Sequence, residues 1–402
     1  MCIRDRINYF QYDYPEPKGN HPIALDSEIA SCPWADGHKI LRIGLKGKHV
    51  SPKKLPNANF VFLIDVSGSM SSYNKLNLLK ESFTMFADNL RPNDRIAIVT
   101  YASSAGVLLN STTGRNKEKI KRAIAQLGAG GSTNGSGGII EAYEIASANF
   151  IRNGNNRVIL GTDGDFNVGV NSQNGLLKLI EEKRETGIFL SVLGVGTGNY
   201  QEGKMEQLAN HGNGTYEYLD DSEQARKVFV EDLGKFYNVA KDVKIQLKFN
   251  PELVESYRLI GYENRILNEE DFLDDTKDAG EMGINQSVTA LYELIPAARR
   301  ATETAMLTVD FRYKYSDARK SRPLKLEVFD RNTSFAAATE NTRFATSVAG
   351  YGLMLRDSEY KGNLTWDKVW DWAVNAQRFD PNGHRGEFLP LIKKAKKLDS
   401  IQ

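Results

Sequence analysis

At 402 residues the chain is long enough for two or three domains, and 41% hydrophobic with 26% charged residues is the composition of a soluble globular protein. The 52 Lys and Arg residues against 51 Asp and Glu leave a net charge of +1, which excludes a nucleic-acid binder working through a basic face. No apolar run reaches the roughly 18 residues that a membrane-spanning helix needs.

The chain opens Met1-Cys2-Ile3-Arg4-Asp5-Arg6 and passes at once into Ile7-Asn8-Tyr9-Phe10, sequence of a folded domain. A charged stretch followed by an apolar one, the mark of a signal peptide, is missing. The first six residues read as an artefact ahead of a natural start that is not present. That leaves location open and takes Cys2 out of the count, so Cys32 implies no disulfide framework. The five histidines, His21, His38, His49, His211 and His384, are scattered and form no paired helical metal motif.

Residues 7–57 are rich in aromatic residues and proline, then Lys39 to Lys46 alternates apolar and charged positions as a half-exposed strand does. Residues 58–239 repeat strand and helix. Strands are expected at 60–65, 95–101, 106–110, 157–162, 188–195 and 215–219. Helices are expected at 116–127, 136–153, 172–186, 201–210 and 221–239, with another carrying Leu76, Leu79, Phe83, Phe86 and Leu90 on one face. Such alternation predicts a mostly parallel sheet covered on both sides. The run 106–110 follows its predecessor too closely for a crossover, so 95–110 reads as a hairpin with an antiparallel edge.

Residues 240–330 change character. Val243 to Phe249 alternates strictly, as do parts of 287–295, 305–315 and 323–329, a β-sandwich pattern. The lone strand at 39–46 must pair with these, so the α/β region is expected to be inserted in a β domain built from both flanks. Asn268 to Gly280 reads as an acidic exposed loop or short helix. Residues 331–402 turn helical, with Trp366, Val369, Trp370 and Trp372 as a packing cluster and Lys393 to Lys397 as a solvated face.

Three loops carry chemistry. Phe60 to Ile64 is an apolar run of five that reads as a strand buried on both faces, and it ends in Asp65, Ser67 and Ser69 at alternate positions. Gly68 is expected to let the backbone turn so that the three side chains converge. The second loop is Gly128 to Gly135 with Thr133, beside which stands Ser132. The third is Thr162-Asp163-Gly164-Asp165. At the reversal point of a doubly wound sheet, the strands before Asp65 and Asp163 are neighbours and a crevice opens. One carboxylate and two hydroxyls on one point, with no histidine near, suit a hard cation and not a nucleophile–base pair. Each loop alone also fits ordinary capping and turn chemistry. The glycine-rich 128–138 stretch lacks the Lys-Ser/Thr of a phosphate loop, Gly194 to Gly198 lacks dinucleotide spacing, and Asp165 reads as a solvent-facing turn residue.

The three loops together resemble the von Willebrand factor type A (VWA) domain and its metal-ion-dependent adhesion site. That resemblance implies a metal held by Asp65, Ser67, Ser69, Thr133 and Asp163. Ile7–Pro17, Val288–Ala297 and Gly352–Trp372 look like the accessory segments of a bacterial VWA-containing family, often envelope-associated. The implied fold is α/β: a doubly wound, mostly parallel sheet inserted into a β-sandwich-like domain, with a helical C-terminal region. The implied cation is Mg²⁺, or Mn²⁺ or Ca²⁺, and the implied partner is a protein whose Asp or Glu completes the coordination shell. The expected role is a non-enzymatic interaction module of the cell envelope, periplasmic, outer-membrane-anchored or extracellular. The alternatives are a metal-dependent hydrolase acting on phosphoesters and a structural envelope protein stabilised by its metal.

Overall fold

The computed structural model describes residues 3–131, 135–164, 173–197, 201–261, 272–275, 279–299, 301–315, 318 and 320–400. The chain begins with α1 (Ile3–Tyr9), β1 (Ile23–Ser31) and β2 (Lys39–Gly47). The central region runs β3 (Ala58–Asp65), α2 (Leu78–Asn89), β4 (Arg95–Tyr101), β5 (Ala105–Thr113), α3 (Lys117–Ala125), α4 (Gly135–Ala148), β6 (Asn155–Thr162), α5 (Gln173–Glu185), β7 (Ile188–Val195), α6 (Glu202–His211), β8 (Tyr216–Leu219) and α7 (Ser222–Arg226). It closes with β9 (Asn238–Phe249), β10 (Val254–Ile260), β11 (Gly280–Gly283), β12 (Ser287–Pro296), β13 (Leu307–Lys314), β14 (Arg322–Val328), α8 (Glu340–Leu355), α9 (Trp366–Val374) and α10 (His384–Asp399). Two compact units result, one from residues 50–238 and one from residues 1–49 with 239–402.

The central unit is a six-stranded sheet in the order β5-β4-β3-β6-β7-β8. All neighbours are parallel except β4 and β5, which form the expected antiparallel edge. Alternate residues of β3 serve two cores. Val61 and Leu63 pack with Ile139, Ala142 and Tyr143 of α4, Ile180 of α5 and Leu208 of α6. On the other face Phe62 stacks on Phe83 of α2 with ring centroids 3.9 Å apart, and Phe60 meets Phe86 edge-on at 4.9 Å. A strand with both faces covered is apolar without alternation, which is why Phe60–Ile64 reads as it does. β3 pairs with β4 on one side and β6 on the other, so strand order reverses at the β3/β6 junction.

The helix expected over 221–239 is interrupted. After α7 come a wide turn at Lys227–Glu231 and a tight turn at Leu233–Phe236, and β9 already starts at Asn238. Asp232 leaves the helical region at φ −102°, ψ 17°, its carboxylate taken by Lys227 and Lys235 at 2.5 and 3.0 Å. The break lets Phe229 and Phe236 stack at 5.8 Å and both bury.

The flanking unit holds two four-stranded antiparallel sheets, β1-β2-β12-β10 and β11-β9-β13-β14. Residue 39–46 does pair with a later strand: β12 lies against β2, with Ala290 opposite Ile43. β1 is an addition to the sequence reading, which missed it because most of its residues are only half-buried. Leu41, Ile43 and Leu294 of the first sheet pack with Leu307, Val309 and Val328 of the second. The first sheet's Ile40 and Leu291 also pack with Phe344 and Val348 of α8, Val369 of α9 and Phe388 of α10. Ile3–Arg6, read from sequence as an artefact, form the first turn of α1, and Ile3 is buried in that same cluster. Most of 268–280 lies outside the described residues, but Gly280 opens strand β11, not a loop.

Candidate metal centre

The apolar run of β3 delivers Asp65 to the carboxyl edge of the sheet, where it is fully buried. Its Oδ1 accepts the Ser67 N–H at 2.9 Å, closing a local turn. Ser67 Oγ and Ser69 Oγ lie 3.1 Å apart, so the alternate-position donors do converge. Met70, fully buried, pins the tight turn Gly68–Ser71 that carries them. Gly68 stays out of the left-handed region. Its N–H donates to the Gly131 carbonyl at 3.0 Å.

The second loop is therefore joined to the first through backbone. Gly130 N–H donates to Val66 O at 2.7 Å, and Gly131 adopts φ +87° to turn away. Thr133 and the neighbouring Ser132 lie outside the described residues, as does Asp165.

β6, paired in parallel with β3, delivers the third loop. Thr162 Oγ1 donates to Asp65 Oδ2 at 3.1 Å and accepts the Gly164 N–H at 3.2 Å. Asp163, 7% exposed, follows directly, and its Oδ2 accepts from Lys75 Nζ at 2.8 Å. The same ammonium donates to Ser69 O at 3.0 Å, so Lys75 spans the first and third loops. Tyr101, at the end of β4 and opposite Asp65 in register, donates its hydroxyl to Asp65 Oδ2 at 3.2 Å.

Burial raises the Asp65 carboxyl above its ordinary range. The Ser67 hydrogen bonds oppose this, and the charge of Asp163 adds to it. Burial, with the Asp65 charge next in weight, likewise lifts the Tyr101 phenol well above its usual value. Two carboxylates at one buried rim call for positive charge. Lys75 supplies one unit of it, with its side chain 16% exposed.

The donors fit a hard cation, since all are oxygens: two carboxylates and two hydroxyls from separate loops. Among the described residues no group of three or more His, Cys, Asp and Glu side chains is placed to hold an ion. A set with only two carboxylates is of a different composition. Of the residues expected to hold the metal, Asp65, Ser67, Ser69 and Asp163 lie at the β3/β6 rim. Sequence reasoning named Thr162 in the third loop but gave it no role, and it did not single out Lys75 or Tyr101. The parallel pairing of β3 with β4 was the signal that could have found Tyr101, the last residue of its strand.

Comparison with known proteins shows the family. The von Willebrand factor type A domain model matches residues 59–231, the YfbK C-terminal model residues 234–398, and a model described as von Willebrand factor residues 2–42. The chain is 38% identical over 425 residues to "Uncharacterized protein YfbK" of Escherichia coli, an alignment covering 99% of this chain and 73% of that protein. The chain belongs to the YfbK family of VWA domain proteins. The YfbK alignment runs through both units. The chain is also 29% identical over 203 residues to inter-alpha-trypsin inhibitor heavy chain H1 of Sus scrofa, covering 47% of this chain but only 22% of that one. A solved VWA structure from Catenulispora acidiphila shares the fold, with TM-score 0.52 and 16% identity over 96% of this chain and 91% of its own. VWA domains generally mediate metal-dependent protein interactions.

Proposed function

We propose that this chain is a divalent-cation-dependent protein-interaction module without catalytic activity. Asp65, Ser67, Ser69, Thr133 and Asp163 hold Mg²⁺, or Mn²⁺ or Ca²⁺, and an Asp or Glu of a protein partner completes the shell. One observation carries the reading: Asp65, Ser67, Ser69 and Asp163 reach one rim from loops following adjacent parallel strands, with the Gly130–Gly131 backbone bonded to the first of those loops.

The bound cation supplies a positive centre able to accept an anionic oxygen. The protein's own part is to hold the donors. Ser67 N–H, Thr162 Oγ1 and Tyr101 Oη fix both oxygens of Asp65, and the buried Met70 fixes the turn bearing Ser67 and Ser69. With few carboxylates around it, the cation stays electropositive enough to draw a carboxylate from outside. Catalysis would also require a base at the rim. His211 is the one histidine between residues 50 and 238, and it bonds Glu181 at 2.7 Å.

The resemblance of the flanking segments supports a cell-envelope location, periplasmic, outer-membrane-anchored or extracellular. Among the described residues no helix is long and apolar enough to cross a membrane. The test is capture from an envelope extract with and without EDTA, using the wild type and Asp65→Ala. A partner set that depends on both supports the reading, and one indifferent to both ends it. Turnover of a phosphoester panel with Mg²⁺, lost in Asp163→Ala, would instead establish a hydrolase.

A further inference from the structure

We propose that Lys75 is a built-in competitor for the divalent cation: its ammonium holds Asp163 Oδ2, and a cation must displace it from that oxygen or bind the carboxylate against its charge. This rests on reading Asp65, Ser67, Ser69 and Asp163 as metal ligands.

Position is the first ground. Lys75 Nζ donates to Asp163 Oδ2 at 2.8 Å and to Ser69 O at 3.0 Å, so it lies between two of the loops that supply the ligands. A carboxylate oxygen held by an ammonium and the same oxygen bound to a metal are alternatives, and the two positive charges repel.

Packing is the second ground. A surface lysine ordinarily lets its ammonium drift in water. The Lys75 stem instead passes over Gly196, just beyond β7, at φ +84°. A Cβ at Gly196 would lie 2.5 Å from Lys75 Cε, 2.9 Å from Cγ and 3.1 Å from Cδ. Tyr218 donates to the Gly196 carbonyl at 2.7 Å and holds that loop in place. The channel for the stem thus depends on a residue with no side chain, and it directs the ammonium to Asp163.

Charge is the third. Asp65 and Asp163 are 0% and 7% exposed. Lys75 balances part of their charge, so it stabilises the rim while lowering its affinity for a cation. The lysine sets how much free cation is needed before a partner's carboxylate is recruited.

The experiment is titration of the full chain with Mn²⁺ alone, read by calorimetry or by the electron paramagnetic resonance of free Mn²⁺. Lys75→Met keeps the unbranched stem over Gly196 and removes the charge. It is expected to bind Mn²⁺ about tenfold more tightly than wild type, equivalent to about 1.4 kcal/mol. Lys75→Arg, which keeps the charge, is expected to stay within about threefold of wild type. Without added cation, Lys75→Met is expected to melt below wild type, and Mn²⁺ is expected to raise its Tm by more. Lys75→Ala serves as second variant should the methionine form not fold. Equal or weaker Mn²⁺ binding by Lys75→Met, with Asp65→Ala still abolishing binding, overturns this proposal alone. If neither wild type nor Lys75→Met binds Mn²⁺, the metal-ligand reading falls and this proposal falls with it.

Discussion

Tyr101 and Asp65 stand opposite each other at the ends of β4 and β3, and the phenol donates to the carboxylate at 3.2 Å. Two residues from neighbouring parallel strands thus meet at the rim, one reading as core and the other as ligand. Tyr101→Phe keeps the buried ring and removes one donor. It is expected to cost about 1 kcal/mol, the usual net worth of such a hydrogen bond. Chemical denaturation checks the stability, and Mn²⁺ titration should show the same single ion bound a few-fold more weakly.

Gly138, in the first turns of α4, faces Tyr101 and Leu63 with no room to spare. A Cβ there would sit 2.8 Å from Tyr101 Cβ and 3.1 Å from Leu63 Cδ1. Gly138→Ala therefore forces α4 off the sheet despite its better helix propensity, and a loss of about 1–3 kcal/mol is expected from overpacking. A stability gain of the size propensity alone would bring contradicts this packing.

Asp94 ties the start of β3 to the turn before β4. Its Oδ1 accepts the Ala58 N–H at 2.8 Å, and Arg91 binds both of its oxygens. Asp94→Ala leaves a buried N–H and half of an ion pair, so a cost of about 2 kcal/mol is expected, discounted because Arg91 is 24% exposed. Urea unfolding of the variant measures it.

Acid sensitivity is expected to centre on Asp232. Burial pushes its carboxyl up, but Lys235 and Lys227 outweigh that and hold it well below the usual carboxylate range. A depressed carboxyl adds stability that is present above the unfolded value of about 3.9 and is lost as pH falls toward the native value. Asp232→Asn is expected to cost about 3 kcal/mol near neutral pH, because Lys227 is left buried without its charge partner. Melting temperatures between pH 7 and pH 2 should fall less steeply for the variant than for wild type below about pH 4.

Much of this was legible from the residues. A strand covered on both faces must be apolar throughout, so Phe60–Ile64 announced itself, and Asp65, Ser67 and Ser69 stood out by following it. The hairpin edge at 95–110 followed from chain length between strands. Lys75 was not legible, because a lysine at a helix entrance reads as solvated unless one sees Gly196 beneath its stem. Thr162 and Tyr101 are the last residues of their strands, where a polar or aromatic residue looks like part of the strand until register brings it to Asp65. The break after α7 was hidden because Phe229 and Phe236 fit a helical period as well as the stacked turn they form.

The most direct test of the account is a calorimetric titration of the purified full chain with Mn²⁺, alongside Asp65→Ala and Asp163→Ala variants shown by circular dichroism to be folded. The expected result is one ion per wild-type chain, with binding lost in Asp65→Ala and strongly weakened in Asp163→Ala. A wild type that takes up no ion, or variants that bind it equally well, would contradict the account.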